Sequence, residues 1–424
     1  FPSGKRRKTM IKYVLLFCLL SFPVHAMPCF INMGQDHCLK YYIQDQNLND
    51  IRKSLEKGAN PNSAFELALN TKNPAVVKLL LNHGADTERQ TSVGGGALFY
   101  VLHYKIPLAE ILLNGGANPN AFDGDGNLLL TRAVIRYGNF DFARLLLKHG
   151  AKLNAADANG DSSLIKAVKL NEPLFTVNFL LRNGAKPNEK LQNGSPLLTY
   201  AVLDKGKFDT ARALLRFGAK INATDKNGKT ALVRALEERK SDKTVAFLLE
   251  NKADAKIDGV FLAGLEQDRS TKILDLLLKN GANVNERASN GTTPLLFACR
   301  KKSASLVSWL LQKGASATLT TKEGLTTLMA AAQAHQPPSV LKALLAKGVK
   351  INARDAAGET AIFYAADKGT MTQKLETIDF LQKNGAKINE TSWNGKMLTD
   401  MLRSDKKAIG DMRYWNLLAK INGG

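Results

Sequence analysis

The 424-residue chain has only four cysteines and three tryptophans, and aromatic residues make up 7% of it. So few cysteines exclude a disulfide-dense scaffold, and the six histidines have no partners at metal-ligand spacing. The shortage of aromatics leaves none interleaved with cations to stack nucleic-acid bases, so nucleic acid is not an expected partner. Acids are scarce as well: 38 Asp and Glu face 59 Lys and Arg, for a net charge of +21. No apolar run reaches the length of a transmembrane span. Nucleophile elbows and phosphate loops are missing too. The run Gly94–Gly96 lacks the strand, lysine and threonine of a phosphate loop and is expected to be a flexible finger. Asp123 to Asn127 (DGDGN) lacks the later bidentate acid of a calcium loop and is read as a turn. No catalysis, cofactor or metal is expected.

The first 26 residues differ from the rest. They hold Lys5, Arg6, Arg7, Lys8 and Lys12 and no acid. With Met10 as the start, Lys12 precedes an apolar stretch from Tyr13 to Phe22, and Val24, His25 and Ala26 supply small residues where a signal peptidase reads. Residues 1–26 are therefore expected to be a secretory leader, with the mature chain exported to the periplasm or the cell exterior. Phe17 before Cys18 argues against a lipoprotein site. Cys29 and Cys38 stand nine apart at the start of the mature chain. An exported setting permits a disulfide between them, and whether they pair stays open. Cys299, beside Ala298, reads as a small core residue.

What the chain has in plenty is one phrase. LLLKHGAKLN, Leu145 to Asn154, returns upstream as LLNGGANPN (Leu112 to Asn120) and downstream as LLRNGAKPN (Leu180 to Asn188). Its glycine recurs at Gly58, Gly84, Gly116, Gly150, Gly184, Gly218, Gly281, Gly314, Gly348 and Gly385, most often 33 or 34 residues apart, and Lys252 stands in that place once. A glycine just past a helix favours the left-handed region, which other residues enter only against a Cβ clash. Before each phrase comes a turn and a first helix. In one copy Asp157, Asn159 and Gly160 turn, Ser162 and Ser163 cap, and Leu164 and Ala167 face inward. Pro173 and Leu174 then open a second helix that buries Val177, Leu180 and Leu181. Gly228, Thr230, Leu232, Ala235 and Gly291, Thr293, Pro294, Leu295, Ala298 repeat the pattern, as do Gly358, Thr360, Ile362 and Ala365.

This period and the G-x-T-P-L-x-x-A…L-L-L-x-x-G-A-x-x-N pattern resemble the ankyrin repeat, from about Asp36 to Ile421. The resemblance implies an all-α solenoid of about eleven helix-turn-helix repeats joined by β-hairpins and capped at both ends. The histidine that follows T-P-L in the family is replaced by Ile165, Val233, Leu296, Met329 and Phe363, which implies a more apolar, less rigid seam between repeats. The expected segments are a capping repeat (27–58, with Leu48, Ile51 and Leu55 on one face), a first block (59–252), a second block after an irregular repeat (253–385), and C-terminal capping helices (386–424). Asn60 to Phe65 is expected to be a tight connection without a hairpin. The hairpin is expected to be nearly absent at Ala255 to Val260. Met412, Trp415, Leu418 and Ile421 are expected to form the buried stripe of the last helix.

Activity is not legible in such an array, which is a generic binding scaffold. Many of its cations (Lys57, Lys148, Arg182, Arg216, Lys279, Lys313, Lys347 and Lys383) fall in last helical turns, where the macrodipole favours them. In the family, partners touch hairpin tips and first-helix ends. The resemblance carries that role to Arg136, Lys169, Lys205, Lys226, Lys229, Arg239, Arg300 and Lys301. A separate row, Lys152, Lys186 and Lys220, with Lys350 and Lys387, lies two residues after the helix-ending glycines and suits an acidic protein surface. The expected function is a non-catalytic protein-binding scaffold, an inhibitor or accessory factor of a co-exported enzyme or toxin. The alternatives are a secreted effector that binds host proteins and a structural factor that binds anionic envelope components.

Overall fold

Residues 34–103, 106–403 and 412–422 are described by the computed structural model. The leader, Met10 and Cys29 lie outside them. The chain divides into two compact units, one ending at Lys220 and the other beginning at Ile221.

In the first unit, paired antiparallel helices follow one another. Gln35–Gln44 pairs with Leu48–Glu56, and Phe65–Asn70 with Pro74–Asn82; Ala97–Val101 precedes Ile106–Asn114, and Ser163–Leu170 precedes Leu174–Arg182. The first helix of each pair packs on the first helix of the next, and the second on the second. The pattern of apolar residues dictates this stack. Leu164, Ala167, Val177, Leu180 and Leu181 are all buried, and each buried leucine contributes about 1.5–3 kcal/mol. Ala133, Ala167 and Ala201 occupy the same place in successive first helices and are fully buried, because a larger side chain there would hold the helices apart. Ser162 caps its helix by accepting from the Ile165 N–H at 3.2 Å. The buried hydroxyls of Thr131 and Ser163 join neighbouring first helices at 2.7 Å. Leu48, at the start of its helix, stays exposed while Ile51 and Leu55 are buried.

The helix-ending phrase closes as expected. Gly150 has φ +88°. Its N–H donates to the Leu147 carbonyl at 3.1 Å, and that of Ala151 to Leu146 at 2.9 Å, the double bond of a Schellman end. In the second unit, Lys252 makes the same two bonds, with its neighbour, at φ +66°. That left-handed conformation costs a non-glycine residue about 1 kcal/mol.

The expected β-hairpins are shorter than hairpins. Among the described residues they are turns carrying at most a single bridge, as between Phe122 and Leu128 or Lys190 and Pro196. Their backbone groups are satisfied instead by an aspartate or threonine at the turn, so no strand ladder is needed. Gly94–Gly96 is one of these turns, closed by the Thr91 N–H on the Gly95 carbonyl at 2.8 Å. Asn60 to Phe65 contains a single 3-10 turn, Pro61–Ser63.

The second unit runs from Ala231–Glu237 and Asp242–Glu250 to Leu398–Arg403 and Met412–Asn422. Its irregular repeat, Val260–Glu266 with Thr271–Lys279, keeps only a short turn, closed by the Val260 N–H on the Ile257 carbonyl at 3.2 Å. Glu286 of the following repeat reaches back and accepts from the Gly259 N–H at 3.1 Å and from the Leu262 N–H. Burial pushes this carboxyl above its usual range, against the pull of those backbone bonds. On the other side, the Arg269 guanidinium donates to the carbonyls of Lys240 and Ala235 and to Asp242. Cys299 is fully buried, and burial pushes its thiol up to about 12, which keeps it an unreactive core residue. The last helix corrects the expected stripe. Met412 and Trp415 are 73% and 49% exposed, and the buried face is Tyr414, Leu417, Leu418 and Ile421. The covered stripe is as wide as expected but rotated about the helix axis, keeping Leu418 and Ile421 and exchanging Met412 and Trp415 for Tyr414 and Leu417.

Candidate binding surface

Repeats are joined by a hydrogen-bond ladder at the asparagine that closes most of the phrases; Glu88, Lys256 and Thr318 stand there in the others. The Asn120 side chain accepts from the Lys152 N–H at 2.7 Å and donates to the Gly150 carbonyl at 3.3 Å. Asn154 does the same for Lys186 and Gly184 at 3.0 and 3.2 Å, and Asn188 for Lys220 and Gly218 at 2.8 and 2.9 Å. The second unit repeats it, with Asn285 joined to Ser316 and Gly314, and Asn352 to Lys387 and Gly385. The positions vacated by the family histidine are apolar as expected, with Ile165, Leu296, Met329 and Phe363 buried and Val233 half-buried. The polar link between repeats lies in the asparagine ladder.

The ladder fixes Lys152, Lys186 and Lys220 in register. Their side chains are exposed; none is in a salt bridge among the described residues, and Lys186 alone lies near enough to a carboxylate, Glu189, to act on it. Stacked helices lie about 8–10 Å apart, which sets the scale of the spacing between these lysines. In the second unit, Lys350 is exposed and Lys387 is paired with Glu390 at 3.3 Å.

The other expected binding cations divide by their neighbours. Lys169 is engaged by both oxygens of Asp161 at 2.7 Å, Lys229 by Glu237 at 2.6 Å, and Lys301 by Asp268 at 3.9 Å. Arg239 donates to Gln267. Arg136 and Lys205 lie over the rings of Tyr137 and Tyr200, at 5.9 and 5.8 Å. Lys226 and Arg300 are exposed.

Sequence reasoning missed a set of cations inside the turns. Arg132 reaches Asp123 at 2.5 Å and Lys166 reaches Asp157 at 2.5 Å. Each aspartate also accepts from backbone N–H groups of its own turn, Asp123 from Asp125 and Asn127, and Asp157 from Asn159 and Asp161. Burial opposes ionisation of both, but the bonds from the turn and from Arg132 or Lys166 prevail and hold both carboxyls below the usual range. A nine-residue separation from turn to helix face is the signal that could have found the pairs. The sign follows from the depression. Stabilisation is complete above the unfolded value near 3.8 and is lost as pH falls through the lower folded value. The urea midpoint of the first unit should therefore drop on acidification below about pH 4, and should drop less in Asp157→Asn. An acid limb identical in the two proteins would contradict this.

The family model described as ankyrin repeats in three copies matches residues 98–190, 164–258, 262–355 and 306–392. Over 135 residues the chain is 30% identical to Zygote-specific protein 3 of Chlamydomonas reinhardtii, a match that covers 30% of this chain and 36% of that protein. The chain thus spans about a third of that relative's length. Among solved structures, the ankyrin repeat domain of Bcl-3, a member of the IkappaB family, is 26% identical. It covers 50% of this chain and 97% of its own, with a TM-score of 0.43.

Proposed function

The chain belongs to the ankyrin repeat family, and on that premise we propose that it acts outside the cytoplasm as an inhibitor or accessory factor of a co-exported enzyme or toxin, with no catalysis of its own. Ankyrin repeats make it a protein-binding scaffold, which is the foundation of the reading. The observation that carries the rest is the row of Lys152, Lys186 and Lys220, exposed and held in register by Asn120, Asn154 and Asn188. Such a row steers an acidic protein surface and raises its association rate. The exported address rests on the sequence of the leader. Among the described residues no helix is long and apolar enough to cross a membrane.

A secreted effector for host proteins would use the same row, and so would a structural factor that holds anionic envelope polymers. Salt separates the polymer from a protein. With a protein partner, added salt slows association, while dissociation and near-equal stoichiometry persist. Binding that disappears altogether above moderate salt would refute the protein reading in favour of the polymer.

A further inference from the structure

One first helix differs from its neighbours. Leu129–Thr131 runs into a π-helical segment, Arg132–Arg136. In the following repeat the left-handed residue after the first helix is Asn171, φ +67°, and the equivalent place here is Tyr137. Tyr137 stays right-handed and Gly138 takes the positive φ one place later, at +59°. The first helix Leu197–Leu203 ends in the same way, with Gly206 at φ +62°, yet stays α-helical, so the late glycine alone does not make the π-turn; π-turns of this kind recur at functional sites.

Beside the π-turn lies a cavity of about 320 Å³, whose lining carries three cations, Arg132, Arg136 and Lys166, against two acids, Asp123 and Glu172, together with Asn127, Thr131, Ile135 and Leu170. It lies at the lower limit of small-ligand pockets, large enough for one or two side chains. Arg132 and Lys166 are engaged by Asp123 and Asp157. Arg136 has no carboxylate partner among the described residues and lies over the Tyr137 ring at 5.9 Å. Glu172, half-buried on the rim, is the one acid there that pairs with nothing among the described residues. Where Ser163–Leu170 ends and Leu174–Arg182 begins, an apolar patch faces solvent. Leu170 is 58% exposed, Leu174 41% and Phe175 61%, and Phe175 is propped edge-on by Phe140 at 5.7 Å.

We propose that this cavity receives an acidic side chain from a protein partner, on a peptide segment whose neighbouring bulky apolar residue packs on Leu170, Leu174 and Phe175. The inference rests on the protein-binding reading above. Charge complementarity chooses the occupant. Arg136 is the unmatched cation of the cavity, and an apolar shelf adjoins it. A free phosphate or another small anion would have no use for the shelf, whereas a peptide uses both.

The test is fluorescence polarisation with the mature chain and a labelled, unstructured peptide carrying one Glu two places from one Phe in a Gly/Ser background. Changing the Glu to Gln or the Phe to Ala should each weaken binding about tenfold, and so should Arg136→Ala or Phe175→Ala in the protein. Glu172→Gln should tighten binding severalfold, which a merely structural role would not do. Equal affinity for the three peptides, insensitivity to Arg136→Ala, no binding up to about 5 mM, or displacement by inorganic phosphate at the peptide's own concentration would each overturn the proposal. Lys152→Glu/Lys186→Glu/Lys220→Glu should leave this peptide's affinity unchanged. If that variant loses a whole protein partner while the peptide fails to bind, the cavity is refuted and the lysine row stands.

Discussion

Arg269→Ala lowers the stability of the unit beginning at Ile221 by about 1.5–3 kcal/mol, the worth of hydrogen bonds from a charged, largely buried donor whose partner Asp242 is itself half exposed. The guanidinium is 8% exposed and holds the irregular repeat to its predecessor through the Lys240 and Ala235 carbonyls and Asp242. Alanine removes the Arg269 donor from the Lys240 carbonyl, while the Ala235 carbonyl keeps the Lys240 N–H at 2.9 Å. Arg269→Lys keeps the charge but not the planar fork, and should recover less than half of the loss. Urea unfolding followed by tryptophan fluorescence reports this unit alone, because Trp309, Trp393 and Trp415 all lie in it. A midpoint unchanged by Arg269→Ala would mean that the lost hairpin is compensated elsewhere, with Glu286 the first place to look.

Lys152→Glu/Lys186→Glu/Lys220→Glu weakens the protein partner about a hundredfold, mostly through slower association, and leaves the melting temperature within a degree or two. The contrast follows from the ladder. Each lysine contributes only its backbone N–H to the asparagine of the preceding repeat, and glutamate offers the same N–H. The side chains lie in solvent, so folding has little stake in the sign of Lys152 and Lys220 and a small one in that of Lys186, which attracts Glu189. Reversal at Lys226, an exposed cation outside the row, should change the affinity little. If reversing Lys226 costs as much as reversing the row, long-range net charge is at work and the row is no site.

Regularity decided what was legible beforehand. A helix-ending glycine carries one physical demand, and the period of Gly116, Gly150, Gly184 and Gly218 follows from it; all four have φ near +90°. The core positions Leu164, Ala167, Val177 and Leu180 obey helical spacing and are buried. What escaped depends on neighbours in space. Lys169 and Lys152 look alike as sequence, yet Asp161 neutralises the first and no acid stands near the second. Glu286 resembles any loop acid until it is seen capping the helix of the repeat before it. The stripe of Met412 and Trp415 was misplaced because two helical faces share Leu418 and Ile421, and only packing chooses between them. The π-turn at Arg132–Arg136 has no sequence mark of its own, since Leu197–Leu203 shares its late left-handed glycine, Gly206, and stays α-helical.

The most direct test of the account is a crosslinked pull-down of the tagged mature chain from its own cell envelope, read by mass spectrometry, with the Lys152/Lys186/Lys220 charge-reversal variant alongside. The account predicts one dominant protein at near-equal stoichiometry with the native chain, and its loss with the variant. Recovery of polymer or lipid alone, or of the same protein in equal yield with both, would contradict it.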